Sequence, residues 1–554
     1  MDMIAEKKKI RYETNSDEPD RISNLPDSIK QHILSFVETR EAVRTSILSS
    51  SWRALSESLP TLNLPGHCFY SSAMNEQLPD WDDKDDARKA KREKILRVRT
   101  SFYAFLDRAL GSCMGMDKLN IYILGFDLEL KSRLDGWLAG AVRRGVKELG
   151  LQIHSRRDAR YNFPKSVLVS GVIQKLKLAS CELSSSCMVD GQLPCLREIR
   201  LEYVNADDAF MVSLLASCPN LEKLSLKDCE GLTRLEIFDL SKLEKVCFEH
   251  CGGEVEVIQI EAPNLCEFSY VSYGEYDPEF DFGACKKLKL LDLHGSQLDD
   301  DDLNDILNNH PILERLALNY CPNVYHVDIS SQNLVDLVFD ECRDLQKVRI
   351  DTPNLKSFFY NGEDPLTFVC KGPTLKLKNA SVFLKPDYRG EVWFNGLLKF
   401  LAKLSCTENL SLEVAYEKDL IIPESVRMNC RPPLHAVKHL DVGFRLSRLK
   451  HPVQVIESLL WLAPHPEAIS ICGTEFSALK KLEFTYEKPM RGKKKCGCWK
   501  SLSVNCWRHS LAKVCVENKG AHADDTQLAH FFDKERIDAK LEFSSKNVSS
   551  DFYF

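Results

Sequence analysis

From residue 116 onward the chain repeats one spacing: an apolar residue, two others, an apolar residue, one other, and a third apolar residue. It is read at Met116-Leu119-Ile121, Val146-Leu149-Leu151, Ile173-Leu176-Leu178 and Leu196-Ile199-Leu201. It continues at Leu221-Leu224-Leu226, Leu243-Val246-Phe248, Leu265-Phe268-Tyr270 and Leu288-Leu291-Leu293. Leu313-Leu316-Leu318, Leu334-Leu337-Phe339 and Leu355-Phe358-Tyr360 complete the run. The last two positions of each unit alternate, so they point to one face of a short strand. The residue three places earlier enters the same core as the chain approaches that strand. One unit cannot bury its own apolar face, whereas stacked units share a continuous core and a parallel sheet. The pattern predicts a solenoid.

From Leu196 to Leu355 the steps are 25, 22, 22, 23, 25, 21 and 21 residues, inside the 20–29 residue period of leucine-rich repeats. The returning segments differ. Ala209–Leu215 and Leu303–Leu307 read as short helices. Leu232-Leu235-Ile237, Val255-Ile258-Ile260, Val324-Val327-Ile329 and Leu345-Val348-Ile350 read as small strands halfway between the main ones. The expected fold is therefore α/β: an irregular solenoid with helices behind some coils and strands behind others. After Phe368 the period loosens, although Val437-Leu440-Val442 and Leu479-Leu482-Phe484 still fit the repeat. Helices are expected at Trp393–Leu404, Val453–Leu462 and Asp525–Asp533.

The N-terminal part follows a helical period instead. Ile29, Ile33, Leu34 and Val37 form one apolar stripe, and Ala42, Val43, Ile47 and Leu48 a second. Pro26 suits the first turn of a helix. Ser49 suits the N-cap of a third helix carrying Trp52, Leu55 and Leu59. Three short helices bury little surface by themselves, and apolar side chains left outside would suit a partner. A further helix with one buried face is expected over about 94–110.

Composition narrows the function. With 74 basic and 81 acidic residues the 554-residue chain carries a net charge of −7, which argues against a globally basic nucleic-acid binder. No apolar run is long enough for a membrane helix. No secretory signal is read at the N-terminus, so the 21 cysteines are expected as reduced thiols in the nucleus and/or cytoplasm. Cys218, Cys229, Cys251, Cys321 and Cys342 fall near one repeat position and are expected to pack in the turn after a strand. Cys496, Cys498, Cys506, His509 and Cys515 lack the paired C-x₂₋₄-C spacing of zinc sites and are read as buried thiols. No phosphate loop, nucleophile elbow or zinc-protease motif is present. No cofactor, metal or catalytic residue is expected. Tyr270, Tyr273, Tyr276, Tyr320 and Tyr360 are expected as core or edge residues, with partner anchoring as the alternative.

The run RISNLPDSIKQHILSFVETREAVRTSILSSSWRALSESLPTLNL resembles an F-box of the plant type. The resemblance implies that Leu25, Pro26, Ile29, Ile33, Leu34, Val43, Leu48 and Trp52 serve the helical core and contact a Skp-class adaptor. A simple three-helix cap on the solenoid is the competing reading. Residues 506–514, Cys506-Trp507-Arg508-His509-Ser510-Leu511-Ala512-Lys513-Val514, resemble the FBD-type C-terminal segment. Together these resemble the plant F-box/LRR-repeat family.

The expected organisation is a leader at 1–20, an F-box at 21–64, and a linker and capping helix at 65–115. The leucine-rich-repeat solenoid is expected at 116–490, and an FBD-like segment and tail at 491–554. Through the resemblance, the expected function is a non-catalytic receptor of a Skp/cullin/F-box ubiquitin ligase. The F-box would bind the adaptor, and through it a cullin-RING ligase. The solenoid would bind an unknown target protein, with neither membrane nor nucleic acid as partner. A non-ligase scaffold and a co-receptor for a small molecule are the alternatives.

Overall fold

The computed structural model describes residues 22, 25–37, 41–42, 45, 49–57 and 61–64, most of 97–111, and then 115–124, 126, 128–154, 160–183, 193–251, 255–274 and 277–370. It continues with 375, 377–446, 449–472, 479–486, 507, 511–519, 526–534 and 540–545. The chain divides into two compact units, Met1–Glu182 and Leu183–Phe554.

In the first unit, helix α1 (Asp27–Ser35) begins directly after Pro26. The Pro26 carbonyl accepts the amides of Ile29 and Lys30 at 3.0 and 3.1 Å. Pro26 thus sits one residue ahead of the helix rather than in its first turn. Helix α2 (Ser50–Glu57) is capped as expected: the Trp52 amide donates to Ser49 Oγ at 3.2 Å. Leu34, Ala42, Trp52 and Leu55 form a buried cluster. Val43, Ile47, Leu48 and Leu59 lie outside the described residues, as do Ile95 and Val98 of the expected capping helix. Its residues Phe102, Leu106 and Leu110 are helical and buried.

Four parallel strands follow in register: Thr61–Leu64, Lys118–Leu124, Glu148–His154 and Lys175–Ala179. The first of these lies within the stretch expected to be F-box alone. Helix α3 (Leu128–Arg143), which the repeat spacing did not signal, places Trp137 5.4 Å from Tyr103. Trp137 Nε1 donates to Asp107 at 2.7 Å.

The second unit is a longer ladder of the same kind. Glu198–Glu202, Lys223–Lys227, Lys245–Glu249, Glu267–Val271, Leu290–His294, Arg315–Asn319, Asp336–Asp340 and Ser357–Gly362 run parallel. Their registers align the apolar positions, so Leu224, Val246, Phe268, Leu291, Leu316, Leu337 and Phe358 stand in one buried row. The return side is hybrid, as the half-steps predict. Arg234–Ile237, Val257–Ile260 and Glu279–Asp281 form one parallel sheet there. His326–Ser330, Lys347–Asp351 and Thr367–Cys370 form another. Helices α4 (Asp208–Ala216) and α5 (Asp300–Asn309) occupy the remaining returns.

Two features recur along the ladder. The residue after a ladder strand often has positive φ: Tyr203, Asp228, His250, Gly295, Tyr320 and Glu341. This turns the chain sharply out of the sheet. Before the next strand, an asparagine side chain donates to a carbonyl of the preceding coil. Asn220 donates to Pro194 at 2.8 Å, and Asn354 to Gln332 at 2.7 Å.

The ladder does not lose its order after Phe368. Asn379–Leu384, Asn409–Val414, His439–Phe444 and Ala468–Cys472 extend it in parallel register. Helices α6 (Glu391–Lys403), α7 (Glu424–Asn429) and α8 (Pro452–Leu462) lengthen the returns. The pattern faded because the first position of the motif is Thr407 or Pro466 in two of these coils, and the second is Ala380 in another. The match at Leu479-Leu482-Phe484 requires a correction. Its strand, Leu479–Tyr486, runs antiparallel to Ala468–Cys472. Leu511–Lys519 is antiparallel to it in turn, and Lys540–Ser545 pairs parallel with that strand. Helix α9 (Thr526–Lys534) closes this end and packs on α8. Among the described residues no helix is long and apolar enough to cross a membrane.

Candidate functional site

The adaptor residues implied by the resemblance separate into two groups. Leu34 and Trp52 are buried and hold the small core together. Leu25 is half-buried, and Pro26, Ile29 and Ile33 are exposed. Val43 and Leu48 lie outside the described residues. The stripe over Ile29, Ile33, Leu34 and Val37 is therefore only partly a core stripe. Ile29, Ile33 and Val37 are 45%, 40% and 41% exposed. Phe36, at the C-terminal end of α1, is 78% exposed, with its ring 4.9 Å from that of His32. Ile22 is exposed as well. One short helix thus carries a row of apolar side chains facing solvent. Lys30 is the exception on it: a buried lysine, 3.5 Å from Asp27 and 6.0 Å from the Trp52 ring. Phe36 and Ile22 are absent from the expected site because neither is among the F-box motif positions from which that site was drawn, nor in the apolar stripe read over Ile29 to Val37.

The second candidate surface is the outer face of the long ladder. Each strand alternates buried and outward positions. The outward side chains pair between neighbouring strands: Lys245 with Glu267 at 2.7 Å, Lys227 with Glu249, and Arg315 with Asp336. An open concavity of about 520 Å³ lies on this face, lined by residues including Arg315, Asp336, Val338, Phe359, Ser381 and Asp441. Nearby, burial pushes the Asp292 carboxyl above the usual range, although Asn319 donates to it at 2.9 Å.

The tyrosines divide between the two readings open to them. Tyr270 and Tyr360 are core residues, 4% and 2% exposed, and burial raises both phenols. Tyr273 and Tyr320 stand out at 75% and 49% exposure. Tyr276 lies outside the described residues.

The cysteines are structural. Cys229, Cys251, Cys321 and Cys342 follow the positive-φ residue and donate to backbone carbonyls, as Cys342 does to Leu318 at 3.3 Å. Cys218 belongs to a different position, at the entry to the strand, which Cys285 and His310 fill in later coils. Its thiol is fully buried, and burial pushes it up to about 12. Cys515 lies in the strand Leu511–Lys519, while Cys496, Cys498, Cys506 and His509 are outside the described residues. Among the described residues no cluster of histidine, cysteine and carboxylate side chains could hold a metal ion.

Comparison with known families agrees with this arrangement. The family described as "At1g61320/AtMIF1, LRR domain" matches residues 110–276 and 271–421, more than half of the chain. The F-box domain matches residues 22–64. The chain belongs to the F-box/LRR-repeat family. Its relatives in Arabidopsis thaliana include "F-box/LRR-repeat protein At3g59200", 29% identical over 299 residues, 52% of each chain. "Putative F-box protein At3g58860" is 30% identical over 268 residues, 48% of this chain and 54% of that protein. "F-box/LRR-repeat protein At3g59190" is 26% identical over 419 residues, 72% of this chain and 94% of that protein. The chain thus spans about half the length of the first two relatives. In this F-box/LRR-repeat protein the exposed row on α1 falls within the F-box match, and the long outer face falls largely within the leucine-rich-repeat match.

Proposed function

We propose that this F-box/LRR-repeat protein is a non-catalytic substrate receptor of a Skp/cullin/F-box ubiquitin ligase. The F-box binds a Skp-class adaptor, and the ladder holds the protein to be modified. The observation that carries this reading is the solvent-facing apolar group Ile29 and Ile33 on helix α1 with Phe36 and Val37 in the turn after it, all inside the F-box match. Such a patch on so small a helical unit is suited to a protein interface. The mechanism is one of position: holding the target beside a tethered ubiquitin-loading partner raises effective concentration and asks no covalent chemistry of this chain. The C-terminal stretch 491–554 acts in this reading as an FBD-like closing segment. Its Trp507 is buried at 6.2 Å from Phe531 and 6.4 Å from Phe532. The compartment is the nucleus and/or cytoplasm, which a fluorescent fusion would locate.

The test is co-expression with a Skp-class adaptor followed by size-exclusion chromatography. A one-to-one complex is expected. The double variant Ile33→Asp, Phe36→Asp should lose the adaptor while keeping its circular dichroism spectrum. A folded, monodisperse protein that ignores several adaptors would replace the ligase reading by that of an interaction scaffold.

A further inference from the structure

The residues at the C-terminal ends of six successive ladder strands form a connected row. The Asp228 carboxylate is close enough to Tyr203 to raise its phenol, and Asp228 Oδ1 lies 3.7 Å from His250 Nδ1. The ring of His250 is 4.3 Å from that of Tyr273, Tyr273 is 5.6 Å from His294, and His294 is 4.9 Å from Tyr320. Each residue comes from a different coil. Beyond Tyr320 lie the carboxylates of Asp340 and Glu341, close enough to raise its phenol together with burial. The nearby cations are Arg343 and Lys227, and Lys227 is held by Glu249.

The fold explains the left-handed backbone of this row but not its side chains. A positive φ is needed where each strand turns out of the sheet, and Gly295, Asp228 and Glu341 meet the same need without a ring. Bulky residues such as tyrosine are poorly suited to that conformation, yet Tyr203 and Tyr320 adopt it. Nor does core packing account for them, because Tyr203, Tyr273 and Tyr320 are 54%, 75% and 49% exposed. A row of exposed π faces flanked by carboxylates attracts cations, and a planar guanidinium, which can stack and pair at once, more than an ammonium.

We propose that this row is a binding site for an extended, arginine-containing segment of a protein partner, with Tyr273 and Tyr320 stacking on guanidinium groups and Asp228, Asp340 and Glu341 pairing with them. Six strands at a spacing of ~4.8 Å span roughly 24 Å, the length of about seven extended residues. This names the chemistry of the target within the proposed receptor function. It rests on that function only for its biological meaning, since the site is complete in this chain alone.

The experiment measures fluorescence anisotropy of labelled eight-residue peptides with the purified full chain, in the absence of adaptor. The probes are alternating Arg-Gly, Lys-Gly and Glu-Gly. Arg-Gly should bind at least ~3-fold more tightly than Lys-Gly, and Glu-Gly should not bind. Replacing both rings, Tyr273→Leu with Tyr320→Leu, should weaken Arg-Gly about tenfold, at ~3-fold for each lost ring. Tyr273→Phe with Tyr320→Phe, which keeps the π faces, should bind as the parent does. Tyr388→Leu, at an exposed tyrosine elsewhere, should change nothing. Equal binding of Arg-Gly and Lys-Gly, binding of Glu-Gly, or undiminished binding by the leucine pair would overturn the proposal. So would equal losses in the leucine and phenylalanine pairs, which would signal disturbed folding rather than lost stacking. Adaptor co-elution without peptide preference would sink this site alone. Peptide preference without adaptor binding would sink the ligase reading alone.

Discussion

Gly295 stands where the chain leaves its strand with φ +69°, and a Cβ there would meet the Ser272 carbonyl oxygen at 2.0 Å. Gly145 also has a positive φ, +77°, but has no heavy atom within 4 Å of that position. The pair separates strain from collision. Gly145→Ala should cost about 1 kcal/mol for the left-handed backbone alone, and Gly295→Ala about 2–4 kcal/mol because the backbone must also move. Chemical denaturation of the two variants checks this, and equal costs would refute it. His310 offers a second test. It is buried, its Nδ1 has no hydrogen-bond partner, and burial together with the Lys286 charge holds its pKa below the ordinary value of 6.5. The unfolded chain therefore takes up the proton more readily than the folded one. The stability that neutral His310 contributes is present above the unfolded value and is lost as pH falls from there through the lower folded value. Between pH 7 and 5 the parent should lose more thermal stability than His310→Gln does. At Cys218, burial both raises the thiol pKa and shields the sulfur from reagents. Iodoacetamide should thus label exposed Cys406 in the native protein and reach Cys218 only on unfolding, as mass spectrometry would read out.

At the scale of elements, the return helices α4 and α5 are fixed by aspartates at their N-termini. Asp207 accepts the Phe210 amide at 2.7 Å, and Asp299 forms a capping box with Asp302. The next residue does something different. Asp208 accepts the amides of Thr233 and Arg234, and Asp300 those of Tyr325 and His326. Each ties a helix to the first residues of the return strand in the following coil. Asp207→Ala should cost about 1 kcal/mol through the lost cap. Asp208→Ala should cost roughly 1–3 kcal/mol by freeing two amides from a charged acceptor. A smaller loss at Asp208 than at Asp207, measured by urea titration, would show that the tie between coils contributes little. These aspartates are legible in the sequence as caps; their second partners, 25 or 26 residues away, are not.

For the whole molecule, the consequence of stacking is that each coil depends on its neighbours, whereas Ile33 and Phe36 are exposed side chains of the F-box stretch. Exposed substitutions seldom change stability by much, so the Ile33→Asp, Phe36→Asp variant should leave the thermal unfolding of the leucine-rich region within about 1 °C of the parent. A large shift would show that those side chains support the fold rather than a partner. The leucine-rich-repeat match over more than half of the chain fixes the family.

Periodicity alone determined the ladder strands from Met116 to Tyr360, the strands behind several coils and the helices behind others, because a repeat of about 20 residues leaves few ways to bury its apolar positions. The Ser49 cap was legible because short-range patterns carry local structure, and the F-box through the resemblance of its motif, which the family match over residues 22–64 supports. Tertiary structure decided what the pattern could not encode. It showed that Ile29, Ile33 and Phe36 face solvent, since a helical stripe does not say how many neighbours cover it. It carried the ladder through Ala380, Leu410 and Ile469 where the motif's apolar positions are eroded, because register with an existing sheet substitutes for a weak local signal. It reversed the strand Leu479–Tyr486, since alternation is the same in both directions. And it joined Tyr203, His250, Tyr273, His294 and Tyr320 into one row, because residues one coil apart meet only when the coils stack.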